Sequence, residues 1–157
     1  MEIYYKNNNL IIQNSSKKEV VFNIESKDVS IDSFSVSKQW EYEKWSILAE
    51  VKDYKEILFY NLTLDTQRIV ILTDDSFDLS EEILSFFWDV DLLILPWSKN
   101  CVKIYENIEA KMVLPYWEWK DVFFTAISQH NLEEVESIKI RWSIQGDVTE
   151  FVNLKVG

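Results

Sequence analysis

Carboxylates cluster near the end of one predicted strand and could form a site for a divalent cation. Asp74, Asp75 and Asp78 follow the apolar run at 68–72. Carboxylate oxygens are the ligands that Mg²⁺, Ca²⁺ and Mn²⁺ prefer, whereas Zn²⁺ more often takes nitrogen and sulfur. Asp32 and Glu41 could join them if the fold brings these distant residues near the strand end. The candidate set is therefore Asp74, Asp75, Asp78, Asp32 and Glu41. The alternative, which we favour, is that the first two make a turn and that Asp78 or Ser80 caps a helix.

An aromatic cluster is the second feature that could bind a ligand. Tyr116, Trp117 and Trp119 directly follow a predicted strand, and in an extended chain the two tryptophans share one face. Indole rings beside carboxylates could stack on a sugar, a base or an apolar surface of a partner protein. Trp40 and Trp97 are candidates for the same surface. The alternative, again the one we favour, is that these rings pack as core.

The sequence contains few residues for a zinc site, a catalytic nucleophile or a phosphate-binding loop. Cys101 is the only cysteine, so the chain can form neither an internal disulfide nor a cysteine-based zinc site. His130 is the only histidine and falls near the end of a predicted helix. A histidine there more often hydrogen-bonds to free backbone carbonyls or interacts with the helix dipole than binds a metal. No Gly-x-Ser-x-Gly motif is present, and two glycines are too few for a phosphate-binding loop. We therefore predict neither nucleophilic catalysis nor nucleotide binding by the usual motifs.

Composition and charge exclude several partners. The chain of 157 residues carries 27 acidic and 16 basic residues, and its net charge of −11 repels phosphate backbones and anionic membranes. No apolar stretch approaches the roughly 20 residues needed to span a bilayer, and the first residues lack the pattern of a signal peptide. We therefore expect a cytoplasmic protein that binds neither nucleic acid nor membrane.

Short apolar and alternating segments predict a strand-rich first half, and helices alternate with strands in the second half. The change comes at Asp78-Leu79-Ser80-Glu81-Glu82, a helix start with acidic residues in its first turn. The predicted strands are 2–5, 10–13, 19–24, 29–36, 46–51, 57–64, 68–72, 91–95, 111–114, 137–142 and 148–154, and the predicted helices are 80–88, 98–108 and 121–130. Strands followed by helices that pack on a sheet predict a single α/β domain, with α+β layering, over residues 1–157.

Four segments, taken in order, carry a resemblance to a known family. Trp40-Glu41-Tyr42-Glu43 resembles a Gly-Glu-Tyr-Glu segment, and Ile71-Leu72-Thr73-Asp74-Asp75 resembles a strand that ends in Gly-Asp. Asp89-Val90-Asp91-Leu92-Leu93-Ile94-Leu95-Pro96 is similar to Asp-Val-Asp-Leu-Leu-Leu-Leu-Pro, the most specific match. Lys111-Met112-Val113-Leu114-Pro115-Tyr116 resembles Lys-x-Val-Ile-Pro-x-His. With the first hairpin and the last strands, the chain resembles the small single-domain branch of the metallo-β-lactamase superfamily, proteins described as predicted zinc-dependent hydrolases.

The resemblance implies a metallo-β-lactamase-like αββα sandwich, shortened relative to the family, with Asp75 in the place of the family's bridging aspartate. The family binds zinc through a His-x-His-x-Asp-His loop and two further histidines. The corresponding loop here, residues 28–37, contains no histidine, and the family's late histidine falls at or beside Tyr116 and Trp117. A catalytic zinc needs three or more protein ligands and one open position. The resemblance and the missing ligands together predict a domain without bound metal or cofactor.

The predicted function is that of a metal-free, non-catalytic domain that acts by binding or assembly. Its partner would be an unidentified protein, a small ligand or further copies of the same chain in a homo-oligomer. Two alternatives stay open. One is a hydrolase that uses Mg²⁺ or Mn²⁺ held by carboxylates around Asp75. The other is an unrelated β-rich interaction protein whose resemblance to the family misleads.

Overall fold

Strands dominate the computed structural model, which describes residues 1–116, 120–141 and 147–156. The strands of these residues are β1 (Glu2–Lys6), β2 (Asn9–Gln13), β3 (Glu19–Asn23), β4 (Val29–Ile31), β5 (Phe34–Val36), β6 (Trp40–Lys44), β7 (Ile47–Tyr54), β8 (Ile57–Leu64), β9 (Gln67–Leu72), β10 (Leu92–Pro96), β11 (Met112–Tyr116), β12 (Glu134–Val135), β13 (Ser137–Lys139), β14 (Glu150–Phe151) and β15 (Asn153–Leu154). The helices are α1 (Glu81–Phe86), α2 (Lys99–Ile108) and α3 (Lys120–Ala126). Strands come first and helices later, as the sequence pattern predicts.

Tight two-residue turns join neighbouring strands although the chain has only two glycines. Both residues take positive φ in Asn7-Asn8 between β1 and β2, in Trp45-Ser46 between β6 and β7, and in Lys55-Glu56 between β7 and β8. Two consecutive left-handed residues make the type I′ turn, whose twist matches that of the flanking strands. Positive φ is unfavourable for residues with a Cβ atom. Strand pairing on both sides therefore has to stabilise these turns.

Two large sheets are built from these strands. The first has the order β13-β1-β2-β3-β4-β5 and is antiparallel throughout. The second has the order β14-β11-β10-β9-β8-β7-β6 and changes along its width. It is antiparallel from β6 to β9 and parallel from β9 through β10 and β11 to β14. The short strands β12 and β15 form a separate parallel pair.

The two large sheets pack face to face around an apolar layer. Ile3, Leu10 and Phe22 of the six-stranded sheet lie in one buried cluster with Tyr60 and Leu62 of the seven-stranded sheet. Along β3, buried positions alternate with half-buried ones, which is the period of two that a strand with one core face requires. Burial of this layer is the main force that holds the two sheets together.

All three described helices pack on the outer face of the seven-stranded sheet. Ile83 of α1, Ile104 of α2 and Phe123 of α3 share a second buried cluster with Leu93 of β10. Strand β10 is thus buried on both faces, which explains its continuous apolar sequence. None of the helices in the described residues is long and apolar enough to cross a bilayer.

The outer face of the six-stranded sheet has no helix over it among the described residues. Tyr4, Val21 and Ser30 point to that side and stay partly exposed. Such a face can meet water without a covering layer. The αββα layering predicted from the resemblance is therefore found only in part, because the described chain provides two sheets and one helical layer.

Several predicted elements differ in extent from the structure. The strand predicted at 148–154 is divided into β14 and β15, and the strand predicted at 137–142 is described only to residue 141, with β13 ending at Lys139. The single strand predicted at 29–36 is divided into β4 and β5 by a turn in which Asp32 and Ser33 both take positive φ. Helix α3 ends at Ala126, so His130 lies four residues beyond the helix and is exposed. The prediction that placed His130 at a helix C-terminus was therefore wrong.

Candidate functional site at the strand ends

The carboxyl ends of β9, β10 and β11 lie side by side because these strands are parallel and in register. Ile71 lies opposite Ile94, and Pro96 lies opposite Tyr116. Asp74, three residues beyond Ile71, is therefore level with the residue that follows Pro96. Sites in α/β sheets commonly lie outside the carboxyl ends of parallel strands. The residues at these strand ends, which we call the strand-end site, include Asp74, Asp75, Trp97 and Tyr116.

Asp74 is the most heavily bonded side chain of the strand-end site. Its Oδ1 accepts hydrogen bonds from the backbone N–H of Ser76 at 2.7 Å and from the Ser76 hydroxyl at 2.5 Å. Its Oδ2 accepts a hydrogen bond from the Lys27 ammonium at 3.1 Å. Burial alone would raise the pKa of Asp74, but these bonds and the lysine charge outweigh it and lower the pKa to about 2. Asp74 is thus a stably ionised carboxylate whose partners are already in place.

Lys27 reaches this site from the other sheet. It lies in the turn between β3 and β4, where its own φ is 61°. The ion pair with Asp74 joins residues that are 47 positions apart in the chain. No local pattern in the sequence indicates such a pair, and Lys27 is therefore not among the residues predicted for the site. The pair connects the two sheets at the edge where the strand-end site opens.

Asp75 has a different environment from that of its neighbour. Burial, and then the adjacent charge of Asp74, raise the pKa of Asp75 above its usual value. Its backbone carbonyl lies 3.5 Å from the side-chain amide nitrogen of Asn100, at the start of α2. Two neighbouring aspartates thus differ in proton affinity, because Asp74 has the lysine and serine donors and Asp75 has a like charge beside it.

Tyr116 is core, which corrects its assignment to an aromatic binding surface. The side chain is fully buried, and its ring meets the edge of Phe22 at 5.1 Å between centroids. The hydroxyl donates a hydrogen bond to the carbonyl oxygen of Leu72 at 2.9 Å. Burial holds the pKa of Tyr116 well above its usual value, so the hydroxyl stays protonated. Tyr116 therefore ties the ends of β9 and β11 together and presents no surface to a ligand.

Trp97 and Cys101 also turn inward. The Trp97 ring packs against Phe123 at 6.1 Å between centroids, in the cluster beneath the helices. The Cys101 thiol donates a hydrogen bond to the carbonyl oxygen of Pro96 at 2.6 Å. Burial raises the pKa of Cys101 to about 12. At neutral pH the group is therefore a thiol and not the thiolate that binds metals or attacks electrophiles.

Of the other predicted carboxylates, Asp78 does not cap α1, and Asp32 lies away from the strand-end site. Asp78 is exposed, and the cap of α1 is Ser80, whose hydroxyl accepts from the backbone N–H of Ile83 at 3.3 Å. Asp32 pairs with Lys18 at 3.5 Å, at the opposite end of β3 from Lys27. The four residue steps of β3 correspond to about 13 Å along the strand.

Glu41 is farther still from the aspartates. It lies in β6, in the same row as Glu50 of β7, Asn61 of β8 and Val70 of β9. Three strand spacings of about 4.8 Å separate it from β9, and Asp74 lies about 13 Å further along that strand. Combined, these distances amount to roughly 20 Å. The expectation that Asp32 and Glu41 join Asp75 is therefore wrong.

Trp40 does not belong to the same surface as the other candidate aromatics. It lies in β6 and is 72% exposed, at the far side of the sheet from β10 and β11. Four strand spacings, about 19 Å, separate it from β10, the strand that precedes Trp97. Trp117 and Trp119 lie outside the described residues. The single aromatic surface predicted from sequence is thus divided among core, helical layer and an exposed sheet edge.

Comparison with known proteins gives a match to a solved structure. No family model matches the chain, and no curated protein matches it. A solved structure from Thermotoga maritima, a candidate Zn-dependent hydrolase of the metallo-β-lactamase superfamily, superposes with a TM-score of 0.78. The match covers 99% of this chain and 100% of that chain, at 12% sequence identity. This chain has the metallo-β-lactamase fold. The alternative of an unrelated β-rich fold is therefore set aside, whereas the predicted shortening of the chain stays a prediction.

Zinc does not fit the donor groups that this metallo-β-lactamase fold presents. No three His, Cys, Asp or Glu side chains within residues 1–116, 120–141 and 147–156 are grouped closely enough to hold a metal ion. At the strand-end site, Asp74 already binds an ammonium group, and Cys101 holds its proton. His130 lies beside Asp121 and Gln129 on a concave surface next to α3. The described donors are therefore either engaged or dispersed.

Proposed function

We propose that this chain is a metal-free domain of metallo-β-lactamase fold that acts by binding or assembly and not by hydrolysis. The observation that supports the proposal is the ion pair between Lys27 and Asp74 at the ends of the parallel strands. The resemblance gives the place of the expected metal ligand to Asp75, the residue directly after Asp74. Here an amino group from the same chain supplies the positive charge.

The chemistry of the neighbouring groups supports the same conclusion. A divalent cation bound to Asp74 would have to displace Lys27 or accept a lysine charge 3.1 Å from its ligand oxygen. Either choice is electrostatically unfavourable. Among the described residues of the strand-end site, the remaining side-chain coordination would have to come from Asp75, because Cys101 is a buried thiol and Tyr116 is a buried hydroxyl. One carboxylate in a like-charged pair is a poor substitute for the three or more ligands that a catalytic metal requires.

Metal content tests the proposal directly. The protein is purified without chelators, and metal per chain is measured by mass spectrometry before and after incubation with Zn²⁺, Mn²⁺ and Mg²⁺. We expect well under one equivalent of each ion after gel filtration. The same measurement on Lys27→Met, with Lys38→Met as a control that removes an exposed lysine elsewhere, shows whether the ammonium is what excludes a cation.

Hydrolysis assays with generic ester, phosphodiester and lactam substrates complete the test. We expect no turnover in any of the metal-treated samples. Tightly held, near-stoichiometric metal would overturn the proposal of a metal-free domain, most clearly together with turnover that Asp75→Asn abolishes. Both results together would establish the alternative, a hydrolase with carboxylate ligands around Asp75.

A further inference from the structure

We propose that the free edge of β6 binds an extended segment of a partner protein in which lysine or arginine alternates with apolar residues. The segment would add to the seven-stranded sheet as a further strand. The inference depends on the proposed function only in treating the domain as a binding module. It assigns a surface that is distinct from the strand-end site and lies at the opposite side of the sheet.

The backbone of β6 has hydrogen-bonding groups available at this edge. β6 pairs with β7 on one side, and no strand of the described residues pairs with it on the other. Lys44 and Ile47 flank the two-residue turn between β6 and β7 and form the hydrogen-bonded pair next to it. Because hydrogen-bonded pairs alternate along an antiparallel ladder, Tyr42 also bonds to β7, whereas the N–H and C=O groups of Glu41 and Glu43 face outward. These groups are the ones that an added strand engages.

The outer face of the edge is acidic. Glu41 and Glu43 are exposed and share this face with Glu50, which lies directly opposite Glu41 in β7. Arg68 approaches Glu50 only to 3.9 Å. Its guanidinium is otherwise occupied, since it donates to Asn61 at 3.2 Å and stacks on Trp88 at 4.0 Å from the ring centroid. The strip therefore carries an excess of negative charge next to the free backbone groups.

The inner face of the same edge is mainly aromatic, and the Lys44 ammonium at its turn end lies over the Phe34 ring, 5.6 Å from the centroid. Trp40 is 72% exposed, and Tyr42 is half-buried beside it in the alternation of β6. Tyr42 contacts Phe34 of β5 at 5.9 Å between centroids, and Phe34 is 49% exposed. Since β5 is the last strand of the other sheet, aromatic rings from both sheets meet at this side of the sandwich. Apolar side chains of an added strand would pack on these rings.

A partner strand with alternating basic and apolar residues matches both faces at once. Successive side chains of a strand point to opposite faces, so the basic residues would lie beside Glu41 and Glu43 and the apolar residues beside Trp40 and Tyr42. Opposite charges that face each other across strands are stabilising, as are aromatic pairs with β-branched residues. The net charge of −11 for the whole chain adds a long-range attraction for a basic segment.

A second copy of the chain is a poor occupant of this edge. If two β6 strands pair antiparallel about Tyr42, Glu41 of each copy lies opposite Glu43 of the other. A shift of register by two residues in one direction places Glu41 opposite Glu41, and in the other direction Glu43 opposite Glu43. Glutamate therefore faces glutamate in all three registers. Like charges directly opposite are destabilising, and charged residues on edge strands commonly prevent self-association. The same glutamates attract only a partner of positive charge.

A synthetic peptide of alternating lysine and valine, capped at both ends, is the probe for this surface. Binding is followed by two-dimensional NMR of labelled protein, and affinity is measured by fluorescence anisotropy of a labelled peptide. We expect saturable shifts that are largest at the backbone amides of Glu41 and Glu43 and at the indole N–H of Trp40. Control peptides are alternating glutamate and valine, and a scrambled sequence with all lysines together.

Two sets of variants separate charge from backbone pairing. Glu41→Lys with Glu43→Lys should weaken binding of the lysine peptide by about tenfold and create binding of the glutamate peptide. Glu106→Lys with Glu133→Lys changes the net charge equally at exposed positions elsewhere and should change affinity little. Glu43→Pro removes an outward N–H that β7 does not use, and it should weaken binding more than Glu43→Gln does.

Several results would overturn the inference. They are the absence of saturable binding, equal binding of the scrambled peptide, shifts centred away from β6, or a dimer that forms through β6 in the absence of peptide. Metal content of the same samples is an independent readout. If peptide binding fails while metal stays absent, the edge inference is wrong and the proposed function stands. If metal binds tightly, the proposed function is wrong whatever the peptide does.

Discussion

Removal of the Lys27 ammonium should change the titration of Asp74 and, with it, the acid stability of the protein. The pKa of Asp74 is lowered from 3.8 to about 2 in the folded state. A folded-state pKa below the unfolded value means that the stabilisation is fully present above about pH 4 and is lost as the pH falls toward 2. In Lys27→Met the folded pKa should rise, because one hydrogen bond and one positive charge are gone.

The size of the effect follows from the exposure of the pair. At ~1.4 kcal/mol per pH unit, the drop from 3.8 to about 2 would correspond to ~2.4 kcal/mol for a fully buried carboxylate. The Asp74 side chain is 33% exposed and the Lys27 side chain 41%, so solvent screening reduces this to about 1 kcal/mol. Ser76 supplies part of that stabilisation. We therefore expect Lys27→Met to lower the free energy of unfolding at pH 7 by ~0.5 kcal/mol.

The assay combines urea unfolding at several pH values with NMR titration of the Asp74 carboxyl carbon. The difference between wild type and Lys27→Met should shrink as the pH falls from 4 to 2. Lys38→Met controls for loss of an exposed lysine, and Asp74→Asn with Lys27→Met completes a double-mutant cycle. If Asp74 titrates at the same pH in wild type and variant, the ion pair does not form in solution and the electrostatic reasoning about the strand-end site is refuted.

Three further predictions concern Tyr116 and Cys101 of the strand-end site and the helix cap Ser80. Tyr116→Phe should destabilise the fold by ~1–2 kcal/mol in urea unfolding, because the Leu72 carbonyl loses a buried donor; an unchanged midpoint would show that the bond contributes nothing. Cys101 should react with a thiol reagent at pH 8 only on unfolding, at a rate that follows urea concentration; rapid labelling of the native protein would contradict its burial and raised pKa. Ser80→Ala should cost ~1 kcal/mol through loss of the α1 cap, with Ser80→Asp as the conservative control that restores stability.

The parallel part of the fold could be predicted from sequence because its signal is local. The continuous apolar run at 91–95 gave β10, since a strand buried on both faces needs no polar positions. The cap at Ser80 and the acidic first turn gave the start of α1. Resemblance gave the fold itself, which the structural comparison supports at only 12% identity.

The parts that sequence did not reveal depend on turns and on long-range contacts. Asp32 and Ser33 divide one predicted strand because non-glycine residues with positive φ leave no glycine to mark the turn. Strand β6 was absent from the predicted strands, although its alternation of aromatic and acidic residues was a usable signal of period two. The partnership of Lys27 with Asp74 joins two sheets and has no sequence signature at all. The dispersal of Asp32 and Glu41 likewise follows from strand order, which spacing along the chain does not determine.

The pairing of β1 with β13 has a consequence for how the chain is made. β1 is synthesised well before its partner, because its outer edge is completed by Ser137–Lys139, about 135 residues later. Hairpins of sequence neighbours can form during translation, whereas this contact has to wait until the C-terminal strands leave the ribosome. At ~5–20 residues per second, the synthesis of these 135 residues takes roughly 7 to 27 seconds, and the β1 edge stays unpaired for that time. During that time an unpaired β1 edge can pair with another chain, and the arrival of β13 removes this opportunity.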